Sequence, residues 1–442
     1  MGRIEKRLSS AQIIILGFAM VILLGALILM LPVSSKSGTV TPFLDCLFTS
    51  TSAVCVTGLV YYDTAMHWTV FGQAVIILLI QIGGMGVITV ALTIAMATGK
   101  KISLMQRSTM QDAISAPHVG GIVRFTGFIL KGIIFIELLG AIIMSPVFIR
   151  DYGLGKGIWM SVFHSISAFC NAGFDIVDDG ILFNSLVGYS TDPVINITIM
   201  LLIIVGGLGF LTWRDIYTNG IHIKRYRMQS KVILATTALL IIFPTLYFFF
   251  FEFNSLPLVE RFWGSLFQSV TPRTAGFNTV DQTMMSETGQ TLTSLLMIIG
   301  GAPGSTAGGM KVTTFAVMLA CATAVFRRQQ NGRYFGRRID DETVKNAATI
   351  FLLYITLFLA GGMAISRIEG LPLIACLYES ASAVGTVGLS LGITPELGTI
   401  SKLILIAQMF IGRVGGLTLI FATLPATKNT LSKLPQEKIS VG

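Results

Sequence analysis

Along the 442 residues, long apolar runs alternate with short polar joints, and the apolar positions inside those runs form no one-sided stripe. A segment that is apolar on every face is suited to lipid, and about 20 residues of helix cross a hydrocarbon layer of roughly 30 Å. The first run, Ala11 to Leu31, is too long for a signal-peptide core and lacks a small-residue cleavage site, so it reads as a retained span. Between the long runs lie shorter amphipathic stretches that end in a glycine.

The chain therefore reads four times over as span, short re-entrant segment, span, which predicts an all-α integral membrane fold of eight spans around one central pore. The first repeat occupies residues 1–100, with Ala11 to Leu31, Phe43 to Leu59 and Val70 to Met96. The second, residues 101–222, has Ile122 to Phe148, Met160 to Phe174 and Pro193 to Trp213. The third, residues 223–335, has Val232 to Phe251, Phe262 to Phe277 and an interrupted segment from Leu292 to Val325. The fourth, residues 336–442, has Ala347 to Ile365, Leu373 to Leu389 and Ile400 to Leu424, followed by a basic tail.

The re-entrant segments align on one glycine each. Phe48 to Ala53 leading to Gly58 matches Phe163 to Ala168 leading to Gly173, and Tyr378 to Ala383 leading to Gly388. Phe267 to Pro272 reaches Gly276 one residue sooner. Irregular backbone survives at membrane depth only inside protein or along a watery cavity, so four such segments imply one shared cavity. A short helix entering from each repeat aims its negative end at the centre, where it favours a cation. The extended residues behind it can turn carbonyl oxygens inward, as in potassium filters. The candidate filter is Val56, Thr57 and Gly58; Asn171, Ala172 and Gly173; Thr274, Ala275 and Gly276; and Thr386, Val387 and Gly388.

Composition agrees with the medium: 53% of residues are hydrophobic and 12% charged, against about 25% charged in an average soluble domain. Most of the 31 Lys and Arg fall in the N-terminal tail, the inter-repeat loops and the C-terminal tail, which the positive-inside rule places in the cytoplasm. On the opposite face acidic residues collect, among them Asp45, Asp63, Asp151, Asp175, Asp178, Asp179, Asp192, Glu252, Glu260, Asp281 and Glu379, forming an acidic outer mouth that concentrates cations. The net charge of +9 expresses the positive-inside bias and gives no nucleic-acid signal. Five scattered cysteines and four isolated histidines have neither metal spacing nor a catalytic cluster, so no cofactor and no enzyme activity are expected.

A second mark recurs in the span after each re-entrant segment: Gly83-Gly84, Gly206-Gly207, Gly300-Gly301 and Gly412-Arg413, where glycine permits close packing or a helix break. The third copy continues through Gly304, Ser305, Thr306, Gly308 and Gly309 to Lys311, a run that cannot be helical throughout. Placed below the filter, this loop can obstruct the pore and move aside. Lys311 and Arg413 stand at a depth where charge is costly, and Arg413 can hold the loop shut or act as an electrostatic barrier. Glu137 is a further buried-span charge without an evident partner.

These features, with Thr271 to Asn278 (TPRTAGFN) and Phe410 to Arg413 (FIGR), resemble the Trk/Ktr/HKT superfamily of potassium transporters over nearly the whole chain. The length and span count resemble its Ktr membrane subunit. The resemblance implies potassium uptake at the bacterial plasma membrane, a homodimer with one pore per protomer, both termini in the cytoplasm, and a cytosolic ring of nucleotide-binding subunits that docks on the basic loops and opens the loop at Gly300 to Gly309. It also implies an activating role for sodium. A sodium-coupled carrier working by alternating access is the other class considered; such carriers usually show two inverted halves, not four repeats of one orientation.

Overall fold

The computed structural model describes residues 9–97, 103–114, 120–423 and 437. Lys100 and Lys101 of the first connecting loop, His118, Leu424 at the end of the last expected span, and the basic C-terminal tail apart from Glu437 lie outside the described residues.

Each repeat opens with a long outer helix: Ser10–Leu29, Ile122–Tyr152, Met228–Tyr247 continued by a π-helical turn at Phe248–Glu252, and Asp341–Glu369. Among the described residues these are the helices long and apolar enough to cross a membrane unbroken. Their ends follow local chemistry. Ser9 and Gln12 form a reciprocal capping box, Asp340 caps Thr343 N–H, and glycines 153 and 370 terminate the second and fourth.

The short helices follow: Phe43–Val54, Leu154–Phe169, Leu258–Val270 and Leu373–Gly385. Three begin directly after a proline (Pro42, Pro257, Pro372), where a fixed φ and a missing N–H do no harm. Each is tied to its own outer helix by one serine. Ser50 donates to Ile22 O at 2.7 Å, Ser165 to Glu137 O at 2.6 Å and Ser380 to Phe358 O at 2.8 Å, while Ser269 shares a 2.7 Å bond with the Thr245 hydroxyl. Such bonds hold helix pairs where no hydrophobic force separates them from lipid.

The inner segments depart from eight uninterrupted spans. Val70–Met85 turns 96° into Val87–Thr93, and Pro193–Gly207 turns 100° into Phe210–Asn219; with each bent pair counted as one span, the candidates among the described residues number up to six. In the third repeat Glu287–Ile298 and Val312–Phe326 are separated by the irregular stretch 299–311, and in the fourth Thr399–Val414 gives way to Gly416–Thr423. The physical cause is glycine at the break: Gly86, Gly209 and Gly415 adopt φ of 86°, 83° and 92°, a region that side chains disfavour. The doublet glycines just before the breaks serve contact. A side chain at Gly83, Gly206 or Gly412 would run into the carbonyl oxygen of Val54, Phe169 or Val384, in the last turn of the short helix of the same repeat.

A buried ion pair joins the first repeat to the fourth. Lys402 Nζ lies 2.6 Å from Asp45, both side chains less than a tenth exposed, and 3.3 Å from the centroid of Tyr61. Among the described residues the paired strands are one hairpin, Arg333–Tyr334 against Arg337–Arg338, between the third and fourth repeats.

Candidate ion pathway

The four glycine-ended strands meet in a ring. Their first residues, Val56, Asn171, Thr274 and Thr386, all hold left-handed backbone (φ 52°, 58°, 68° and 53°), and so do Gly58, Gly173, Gly276 and Gly388 (φ 89°, 69°, 79° and 98°). Left-handed backbone at non-glycine residues costs energy and persists only where surroundings enforce it. Between them sit Thr57, Ala172, Ala275 and Val387, whose carbonyls face the neighbouring repeat. A Cβ on Gly58 would lie 2.5 Å from Ala172 O, and one on Gly173 would lie 2.6 Å from Ala275 O; Gly276 faces Val387 O and Gly388 faces Thr57 O. The order 58, 173, 276, 388 and back to 58 closes the circle. Glycine is required twice over here, by backbone angle and by the approach of the next strand.

One hydroxyl per repeat braces each strand. Ser52 accepts from Gly58 N–H at 3.1 Å and Ser382 from Gly388 N–H at 2.9 Å, while Ser167 donates to Phe174 O at 2.7 Å and Thr271 to Phe277 O at 2.5 Å. These four residues occupy one column of the repeat alignment, a signal that the choice of filter residues passed over. The third strand is a residue shorter, and its bracing adjusts: Ala275 N–H reaches Thr271 O, four residues back, where Thr57, Ala172 and Val387 reach five back to Ser52, Ser167 and Ser382.

Above the ring a cavity of about 430 Å³ is lined by all four glycines together with Asp63, Asp175 and Asp281. The acidic mouth is therefore narrower than the sequence suggests. Asp45 is neutralised by Lys402, Asp178 is paired with Lys156 at 3.0 Å, Asp151 with Arg150 at 2.8 Å, and buried Glu379 is bound by the hydroxyls of Ser390 and Thr394. His67 stacks on Tyr62 at 4.1 Å, and burial pushes its imidazole below the ordinary value, so it reads as packing.

Below the ring lies the stretch 299–311. Its ends are pinched together by Gly300 N–H to Met310 O at 2.7 Å and Val312 N–H to Gly301 O at 3.0 Å. The second repeat holds its middle: Ala302 N–H bonds Gly207 O at 2.8 Å, Thr306 N–H bonds Gly206 O at 3.2 Å, and Gly304 O accepts from Phe210 N–H at 2.8 Å. The fourth repeat holds its far end, through Gly309 N–H to Gly412 O at 3.1 Å and Gly308 packed against Thr386. Arg413 donates to Thr306 O on the loop, and on the other side to Gly83 O and, at 3.0 Å, Gly84 O of the first repeat. Lys311 Nζ donates to Ala307 O at 2.8 Å and, more loosely, to Gly308 O. Both cations thus face carbonyl oxygens, which solvate a guanidinium or ammonium without neutralising it. A second cavity, about 330 Å³, opens beyond the loop and is lined by Ser305, Gly309, Lys311 and Arg413.

Glu137 has the partner that sequence reasoning lacked: Gln81 Nε2 donates to its carboxyl at 3.2 Å, and Cys170 Sγ lies 3.4 Å from Gln81 Oε1. The pairing bridges 56 residues and two repeats, so no local pattern announces it.

A closed ring of re-entrant strands from four helical repeats, with a cavity on each side and irregular backbone between them, fits a multi-pass membrane transporter. The chain belongs to the TrkH family of cation transport proteins, whose model matches residues 5–432. It is 42% identical to the potassium/sodium uptake protein NtpJ of Enterococcus hirae, over 100% of this chain and 99% of that protein. It is 39% identical to the Ktr system potassium uptake protein B of Bacillus subtilis, over 99% of this chain and 97% of the relative. The fold is shared with the potassium transporter TrkH of Vibrio parahaemolyticus, with a TM-score of 0.75 at 19% identity, over 96% of this chain and 87% of that one.

Proposed function

We propose that this chain takes up potassium across the bacterial plasma membrane. Dehydrated ions pass the ring of backbone carbonyls contributed by Val56 to Gly58, Asn171 to Gly173, Thr274 to Gly276 and Thr386 to Gly388. The observation that carries this reading is the closure of that ring, with each glycine seated against a carbonyl of the next repeat. The names of the relatives, potassium uptake proteins, support potassium as the cargo. Asp63, Asp175 and Asp281 raise the cation concentration at the outer cavity. The loop from Gly300 to Lys311, fastened by Arg413, is the gate.

In this reading the basic inter-repeat loops face the cytoplasm, both termini with them, and a cytosolic nucleotide-binding ring docks there to release the loop of each protomer in a homodimer. Relatives named as parts of a Ktr system support a partner component. The name of the Enterococcus relative supports testing sodium as activator or second cargo. The test is cation flux into liposomes holding the purified chain, with potassium, rubidium and sodium gradients compared. Potassium and rubidium entering well ahead of sodium is the expected result; equal entry of sodium removes potassium selectivity from the reading.

A further inference from the structure

Of the four residues that open the filter strands, Asn171, Thr274 and Thr386 lie against the loop, and the four are not equivalent. The Val56 side chain has no polar group, and the hydroxyls of Thr274 and Thr386, both fully buried, have no hydrogen-bond partner among the described residues. Asn171 is different: its carboxamide is fully buried and bonded on both sides. Nδ2 reaches Ile203 O on the inner helix and Arg273 O beside the third strand, at 3.3 and 3.4 Å, both near the long limit. Its closest contact is to the loop, where the single Thr306 hydroxyl proton is shared between Asn171 Oδ1 and Phe169 O, the last carbonyl of the short helix, each 3.0 Å from Oγ1. Thr306 is itself fully buried, and its N–H is spent on Gly206 O at 3.2 Å. One loop hydroxyl thus touches both the end of a short helix and the left-handed residue that starts its filter strand.

We propose that Thr306 is a positioning residue for the filter, holding Asn171, and through it the second strand, in the geometry that discriminates between cations. The proposal rests on the reading of the ring as a potassium filter. A left-handed residue needs enforcement from its surroundings, and the tightest side-chain contact enforcing Asn171 comes from the gate. The loop therefore does more than obstruct: seated, it tightens one quarter of the ring. Gate position and cation preference become linked, and displacing the loop relaxes the strand that Thr306 holds.

The test is displacement of bound radioactive rubidium from the purified full chain by potassium or by sodium, which needs no flux and so reads the seated loop. Thr306→Val keeps the shape and removes the hydroxyl. The ratio of sodium to potassium concentrations giving half-displacement is expected to fall roughly threefold to tenfold, the span of one lost hydrogen bond. Thr306→Ser, which keeps the hydroxyl, is expected to stay near the parent ratio. If the valine variant keeps the parent ratio, or weakens both cations equally, the proposal is overturned, because packing alone would act that way. If the parent chain itself does not prefer potassium, the filter reading falls and this inference with it. Where Thr306→Val is not monodisperse on gel filtration, Thr306→Ala is read by the same ratio.

Discussion

The ring and the loop beneath it obey opposite rules. In the ring, one chemical solution is repeated four times: a serine bonded to the outer helix, a hydroxyl bracing the strand, a left-handed opening residue and a glycine seated against the next repeat. The loop exists in one repeat only, and its bonds run to the other three: Gly206 and Gly207 of the second, Gly412 and Arg413 of the fourth, and through Arg413 to Gly83 and Gly84 of the first. On the reading of the ring as a filter, repetition suits a site that surrounds a spherical ion, since equal neighbours place oxygens evenly. On the reading of the loop as a gate the reverse is needed, a few separable bonds to different parts of the frame.

That contrast can be broken at four places. The largest effect is expected at the seam that closes the ring. Lys402→Met leaves Asp45 buried and unpaired, and should lower stability by about 3–5 kcal/mol, read as a fall in melting temperature; adding Asp45→Asn should recover part of the loss. Next comes the fastening of the loop. Arg413→Ala removes the charged donor that ties the loop to the first repeat; a loss of about 1.5–3 kcal/mol from the closed arrangement should raise potassium flux in liposomes about tenfold or more. Unchanged or lower flux would remove Arg413 from the gate. Third, Gly58→Ala forces a side chain into left-handed backbone at a cost of about 1–2 kcal/mol and presses on Ala172 O. Discrimination of potassium from sodium should fall about tenfold in a protein that still folds. The smallest effect is expected for Ser52→Ala, which strips the acceptor from buried Gly58 N–H. A loss of about 1 kcal/mol should show as a few-fold drop in the same ratio, smaller than for Gly58→Ala; an equal drop would mean that the brace, and not the glycine, sets the strand.

What could be read from the sequence was what the repeats duplicate and where one copy departs from the others. The four glycines, the shortened third strand and the glycine-rich interruption are visible in alignment because periodic spacing exposes them. The left-handed opening residues are not, since Val, Asn and two Thr share no property except their place, and the place acquires meaning only when the neighbouring strand arrives. The bends at Gly86 and Gly209 lay within apolar runs long enough to pass for straight spans, and hydropathy does not register direction. Asp45 reads from sequence as one of the acids of the mouth because its charge is evident there while its partner is not: Lys402 stands 357 residues away. Glu137 and Gln81 illustrate the same limit, a pair made by packing between repeats and by nothing local.

That long separation bears on how the molecule is made. At about 5–20 residues per second of synthesis, the 357 residues from Asp45 to Lys402 take on the order of 20–70 s to emerge. Through that interval the first short helix holds a carboxylate whose counter-ion has not been made. The first three repeats can enter the bilayer and pack in order, but the circle stays open, with a charge at its edge, until the last inner helix arrives. Completion of the molecule is thus timed by its final repeat, and a chain stalled before Lys402 carries its own mark of incompleteness, an unpaired acid at the unclosed seam.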